Sequence, residues 1–352
     1  MEGFNKKGIL INNRVFKKGL ILRTIVGMVL MGVVTVLPST ISAKQQVPKS
    51  AVFDLTDQAT ELIRNKKLHN GTVLQSFAFD NKNKHIYVVQ LMEGGQRLRG
   101  ENKKVSGETR SSNGDLTLTK LDMKGNKLGY MFLKGFGHGV QIGVETVGIT
   151  PYLWTETDSK AGWGTQLARF KFRNGAVLTP NSSAVEKHRL IEGANRTTVN
   201  IDPINKLLTM RYQLGGSFRF GVYDLDDVKQ GKYTPLADVP QPPMGIFQGF
   251  ASYGGYLYLL DGSAYGNNGS VKPNGNTYIT SVDLNTGKVV ERKLFKGGNN
   301  LTFREPEGLA IRIPDLKHPN KAHLSVGFAS NSSPKRLSNI YYVDKLVPGK
   351  SK

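Results

Sequence analysis

The 352-residue sequence contains no cysteine. That excludes disulfide staples, thiolate-bound zinc, iron–sulfur clusters and a cysteine nucleophile. Histidine is scarce, with His69, His85, His138, His188, His318 and His323 scattered along the chain and neither an HExxH pair nor an EF-hand loop. No metal site is therefore expected. No GxSxG elbow and no assignable Ser/His/Asp set is found. The stretch Gly135-Phe-Gly-His-Gly139 lacks the GxGxxG spacing and sits in no βαβ pattern, so no cofactor is expected. Its glycines read as a tight turn in close backbone approach. Acidic residues are in the minority, 27 against 48 basic, for a net charge of +21.

Long apolar runs are also missing after the first segment. Lys6, Lys7, Arg14, Lys17, Lys18 and Arg23 precede an uncharged, mostly apolar stretch at 24–37, and small residues follow up to Ala43. Fourteen helical residues would reach about 21 Å, short of a hydrocarbon core of about 30 Å. This is the layout of a secretory signal peptide, 1–43, with a retained anchor as the alternative. The remainder, 44–352, is expected to form one domain with no stable membrane span after processing. It keeps 42 basic and 26 acidic residues, a net +16. An exported, cell-wall-associated polycation calls for an anionic partner other than nucleic acid.

What the sequence does contain is a repeat. The blocks Gln75-Ser-Phe-Ala-Phe-Asp80, His138-Gly-Val-Gln-Ile-Gly143, Thr197-Thr-Val-Asn-Ile-Asp202, Gln248-Gly-Phe-Ala-Ser-Tyr253 and Glu307-Gly-Leu-Ala-Ile-Arg312 share a polar, small, apolar opening. Their first residues lie 63, 59, 51 and 59 positions apart. Each is followed by turn residues and then by an aromatic or β-branched run such as Ile86-Tyr-Val-Val-Gln90 or Tyr256-Leu-Tyr-Leu-Leu260, which is hairpin chemistry. A second repeat runs in step, Leu118-Thr-Lys-Leu-Asp122, Leu167-Ala-Arg-Phe-Lys171, Phe220-Gly-Val-Tyr-Asp224, Ile279-Thr-Ser-Val-Asp283 and Ile340-Tyr-Tyr-Val-Asp344. Five such units predict an all-β, five-bladed β-propeller, with blades starting near 75, 138, 197, 248 and 307. A β-sandwich imitates this five-fold pairing poorly. Residues 51–55 are expected to supply the missing outer strand of the last blade, and 60–68 a short helix.

If the blocks are equivalent, Gln75, His138, Thr197, Gln248 and Glu307 form one ring at a mouth of the central channel. Polar residues at strand starts also commonly bond to neighbouring backbone. Glu145 with Glu156, and Glu305 with Glu307, offer carboxyl pairs of the kind glycoside hydrolysis uses. The simpler expectation is that Trp154 fills a blade core and the nearby acids pair with Arg169 or Lys171. Trp163, between Gly162 and Gly164, reads as an exposed platform for a sugar ring. The polar, Gly-rich stretches 96–113 and 262–276 read as long surface loops able to carry binding function.

The segments Leu74-Gln-Ser-Phe-Ala-Phe-Asp80, Leu133-Lys-Gly-Phe-Gly-His-Gly-Val140, Tyr152-Leu-Trp-Thr-Glu156, Gln248-Gly-Phe-Ala251 and Glu305-Pro-Glu-Gly-Leu-Ala310 resemble the propeller shared by teichoic acid biosynthesis protein C and staphylococcal phage receptor-binding proteins. The helveticin J class of secreted bacteriocins is similar. The resemblance spans residues 50–347. It implies attachment to wall teichoic acid in phage members and killing of related bacteria in helveticin-like ones. The stem and platform regions of a tail protein are not in the sequence, which with the leader favours a free secreted protein. The leading expectation is a non-enzymatic propeller that binds an anionic cell-wall glycopolymer, acting as a helveticin-like bacteriocin, through Gln75, His138, Thr197, Gln248, Glu307, Glu305, Glu156 and Trp163. A wall-polysaccharide hydrolase or lyase, and an accessory protein of teichoic acid assembly, are the alternatives.

Overall fold

The computed structural model describes residues 46–349; the leader assigned to 1–43 lies outside them. Five blades of four antiparallel strands follow one another along the chain, and Val177–Leu178 adds a parallel fifth strand to the outer edge of the first. Each runs inner to outer. Blade 1 is Leu74–Asp80, His85–Leu91, Leu116–Asp122 and Lys127–Leu133; blade 2 is Gly143–Val147, Thr150–Thr157, Gln166–Lys171 and Glu186–His188. Blade 3 is Asn195–Asp202, Leu207–Leu214, Ser217–Asp224 and Ala237–Pro240; blade 4 is Phe247–Tyr253, Tyr256–Asp261, Tyr278–Asp283 and Val289–Leu294. Blade 5 is Glu305–Arg312, His323–Ser330 and Leu337–Val343, completed by Thr60–Lys66. Inner strands of successive blades touch, and blade 5 touches blade 1, so the ring is a closed five-bladed β-propeller.

Alternation of side chains explains why the second strands of blades 1 and 4 hold continuous apolar runs. Tyr87 and Val89 face blade 2, whereas Ile86 and Val88 face blade 5. Both faces of a blade are therefore buried, and the usual inside/outside alternation is lost. Each of the five blade interfaces holds its own apolar cluster, such as Trp154, Leu167, Val199 and Met210 between blades 2 and 3.

Two expectations about closure need correction. Residues 60–68 do not form a helix: Thr60–Lys66 is the outer strand of blade 5, pairing Ile63 with Ile340. Within 51–55, only Val52–Phe53 is a strand, and it pairs with Leu346–Val347 outside the blade. The strand was disguised because just one residue, Ile63, is buried in it. An outer strand packs through so few positions that no period shows. The aspartates ending the second repeat have a local cause. Asp122 and Asp283 accept backbone N–H bonds from residues two to four ahead, and Asp224 caps a short helix, Leu225–Lys229.

The stretch 96–113 is not the open basic loop expected. It contains a helix, Gly107–Asn113, and Arg110 within it is fully buried, bonding Glu101 and Asp115. The arginine fastens the loop to the blade and is not available to a ligand. Among the described residues no helix is long and apolar enough to cross a membrane.

Candidate functional site

The inner strands begin at one mouth of the ring, here the upper one, and turn back at the lower. In four blades the strand opens with a register shift: at 74/76, 195/198, 247/249 and 306/309. Blade 2 differs. Its inner strand starts only at Gly143, so the repeat block beginning at His138 does not coincide with strand. Residues 138–142 instead run as irregular chain through the middle of the ring. Gly137 and Gly139 make this path possible, with φ of 155° and 79°.

Gln141 reaches the axis from this segment and is fully buried. Its Nε2 donates to Leu309 O at 2.8 Å and to Ile142 O at 3.2 Å. Its Oε1 accepts from Phe250 N at 3.2 Å and Leu309 N at 3.4 Å. Its backbone carbonyl accepts from Thr198 Oγ1 at 2.8 Å, while Ser76 Oγ donates to Gly139 O at 2.6 Å. One segment of blade 2 is thus bonded to all four other blades, and the channel is plugged. The neighbouring inner strands are tight as well: a Cβ on Gly249 would lie 2.7 Å from Gly308 Cα. That close approach accounts for the small second residue of the Gln248-Gly and Glu307-Gly blocks.

Glu156 holds the plug from the second strand of blade 2. Its Oε1 and Oε2 each accept a backbone N–H at 2.6 Å, from Gly139 and Gly164. Burial pushes its carboxyl up to about 7 despite these bonds. Glu156 therefore supports the site without lining it. Thr197 is also buried off the cavity, donating through its backbone N to Gly164 O and through Oγ1 to Gln166 O. The ring of five equivalent side chains is therefore incomplete: three come from strand starts, His138 from the plug, and Thr197 is absent.

Above the plug lies a cavity of about 700 Å³, where Gln75, His138, Trp163, Gln248, Glu305 and Glu307 meet. Glu307 is 6% exposed, and its carboxyl has no hydrogen-bond or ion-pair partner among the described residues. Burial, and then the nearby Glu305, hold it well above the ordinary value of 4.5. Burial raises Glu305 too, against the opposing field of Arg336. Burial, followed by the charge of Arg196, lowers His138 to about 4, so its ring is neutral near pH 7. That ring stacks on Trp163 at 4.4 Å with planes 11° apart, and the Arg196 guanidinium lies 4.4 Å from the indole. Trp163 is thus half-buried and engaged by His138 and Arg196, not the free platform expected.

The Arg336 guanidinium lines the cavity over Phe303. Arg211 lies behind the wall, buried between Phe218 and Phe247 with its Nε on Gln241 Oε1. Burial lowers Arg211 to about 9. Sequence reasoning missed Gln141, Arg196, Arg211 and Arg336. Gln141 lay within a quoted block; the arginines carried no signal, because their aromatic partners come from other strands. Trp154 is fully buried and donates to Glu145 Oε2, which also binds Arg169 Nε at 2.8 Å, so that pair is core architecture. Among the described residues no group of three or more acidic or histidine side chains is placed to hold a metal.

Comparison with known proteins agrees with this architecture. The family described as "Phage 5-bladed beta propeller receptor binding platform domain" matches residues 73–342. A curated protein of Bacillus subtilis strain 168, named "Putative major teichoic acid biosynthesis protein C", is 30% identical over 310 residues, covering 83% of this chain and 64% of its own length. Among solved structures, the tail fiber of Staphylococcus aureus phage P68 superposes with a TM-score of 0.65 at 20% identity, over 82% of this chain and 53% of the fiber. The chain thus spans about two-thirds of the one relative and half of the other, and the second likeness speaks for the fold.

Proposed function

This chain belongs to the phage five-bladed β-propeller receptor-binding platform family, and from that premise we propose that it binds an anionic cell-wall glycopolymer of the teichoic acid type in its upper cavity. One observation carries the reading: Glu307, with no hydrogen-bond or ion-pair partner among the described residues, lines a cavity together with Arg336. Convergent polar groups left free in a pocket are what a ligand's own polar groups engage. Burial and the neighbouring Glu305 push the Glu307 carboxyl upward, which favours the neutral form that can donate to a sugar hydroxyl and does not repel phosphate. The Arg336 guanidinium supplies the planar donors that phosphate oxygens favour. The relative named for teichoic acid biosynthesis supports the choice of polymer.

The test is sedimentation with Gram-positive cell walls. Binding is expected to weaken as salt rises and to disappear on walls stripped of teichoic acid; unchanged binding to stripped walls would sink the proposal. The finer reading is a secreted bacteriocin of helveticin J type. Spotting the protein on lawns of related bacteria tests it, and wall binding without any growth inhibition would point to an accessory role in teichoic acid assembly instead.

A further inference from the structure

The lower mouth presents a different surface. Four of the nine large apolar side chains exposed among the described residues stand on its turns: Val147, Ile149, Ile204 and Leu316, with Ile149 77% exposed. They come from blades 2, 3 and 5 but form one neighbourhood. Asn83 Nδ2 donates to Ile149 O at 3.0 Å, Lys84 Nζ to Pro314 O at 2.7 Å, and Tyr253 Oη to Pro319 O at 3.1 Å. Lys82, Val147, Lys206 and Leu316 share one depression of about 440 Å³. Ile204 and Pro319 share another of about 180 Å³.

Exposed lysines rim these tips: Lys82, Lys84, Lys206, Lys317 and Lys321. The carboxylates of the same surface are engaged locally. Asp226 pairs with Lys229, and Asp315 accepts from His318 Nδ1 and its own turn's Lys317 N. The described chain also enters here, with Val47 N on Asn285 Oδ1 at 2.8 Å and Ser50 N on Gly254 O at 3.0 Å, both at lower turns. Basic residues and the apolar stretch 24–37 precede that entry in the sequence.

We propose that the lower mouth docks on an anionic lipid surface. Lysines alone would serve any polyphosphate, but aliphatic tips gain nothing from a hydrated glycan. Together they match an interface where apolar groups enter the acyl boundary and ammonium groups meet lipid phosphates. The glycopolymer cavity then points away from the lipid. This inference does not depend on that cavity's ligand.

The absence of cysteine makes single-site labelling of the full chain clean. An environment-sensitive fluorophore is placed at Ile149→Cys or Leu316→Cys on this face, and at Asn102→Cys near the upper mouth. Mixed with vesicles of phosphatidylglycerol and phosphatidylcholine, the labels at 149 and 316 are expected to shift to the blue while that at 102 does not. Lys206→Gln and Lys317→Gln are each expected to weaken vesicle binding about fivefold. Ile149→Asp with Leu316→Asp, unlabelled, is expected to abolish co-sedimentation with the vesicles and leave wall sedimentation unchanged, which also shows the variant folded. Equal shifts at all three labels would assign attachment to the N-terminal stretch and overturn the proposal. So would equal binding to pure phosphatidylcholine vesicles, or a lipid-independent shift accompanied by a doubled mass, which would make this face a contact between copies.

Discussion

Gln141 uses its whole hydrogen-bonding capacity inside the ring, two donors and two acceptors, on backbone groups of blades 2, 4 and 5. Gln141→Leu keeps much of the volume and strands buried backbone groups, each worth about 1–3 kcal/mol. A loss of about 2–4 kcal/mol is expected, read as a lower urea midpoint at unchanged slope. Glu307 gives a second test, through pH. Its folded carboxyl is held above the ordinary 4.5, so the native state binds more protons than the unfolded chain over the window between the two. Stability is therefore expected to fall as pH rises through that window. Glu307→Gln should flatten the slope and leave the protein more stable than wild type at alkaline pH; an identical pH profile in the two proteins would refute the assignment. The residues gathered in the cavity were largely legible in the sequence, because strand-start polar positions repeat. Glu156 and Thr197 were not distinguished from them, since burial against a plug and exposure at a mouth look alike in a block alignment.

The strand Thr60–Lys66 closes the ring, and its contribution comes through one side chain. Ile63 is 3% exposed and packs in the cluster that joins blades 5 and 1. Ile63→Ala is expected to cost about 2–4 kcal/mol and to make this segment the first site of limited proteolysis, because the remaining pairing is broken by two register shifts. Cleavage appearing first elsewhere would mean that the ring opens at another blade. The legibility of strands follows the same physics. The second strands of blades 1 and 4, buried on both faces, announced themselves as continuous apolar runs. Outer strands did not: Thr60–Lys66 was read as helix. The inner strand of blade 2 was placed five residues early because its block resembles the others, while its glycines divert the chain into the axis.

The closed ring separates two surfaces of different chemistry. The upper cavity is polar and aromatic, with acidic side chains and Arg336 in its lining; the lower turns are aliphatic and edged with lysine. The plug at Gln141 divides them, and five apolar blade interfaces make the body between them stiff. Interiors packed in this way resist continuous deformation, so occupation of one end should leave the other unchanged, a coupling free energy near zero. The excess positive charge can then serve both ends at once, since exposed charges further apart than about 10 Å at 0.1 M salt are largely screened from one another. The expectation is a three-part complex in which the protein carries soluble wall polymer onto phosphatidylglycerol vesicles. Flotation measures it directly. Polymer should rise with the vesicles only when wild-type protein is present, and should stay below with Ile149→Asp/Leu316→Asp, although that variant still binds polymer. Competition between polymer and vesicles for the protein would mean that the two share one basic surface, and that the ends of the ring are not independent.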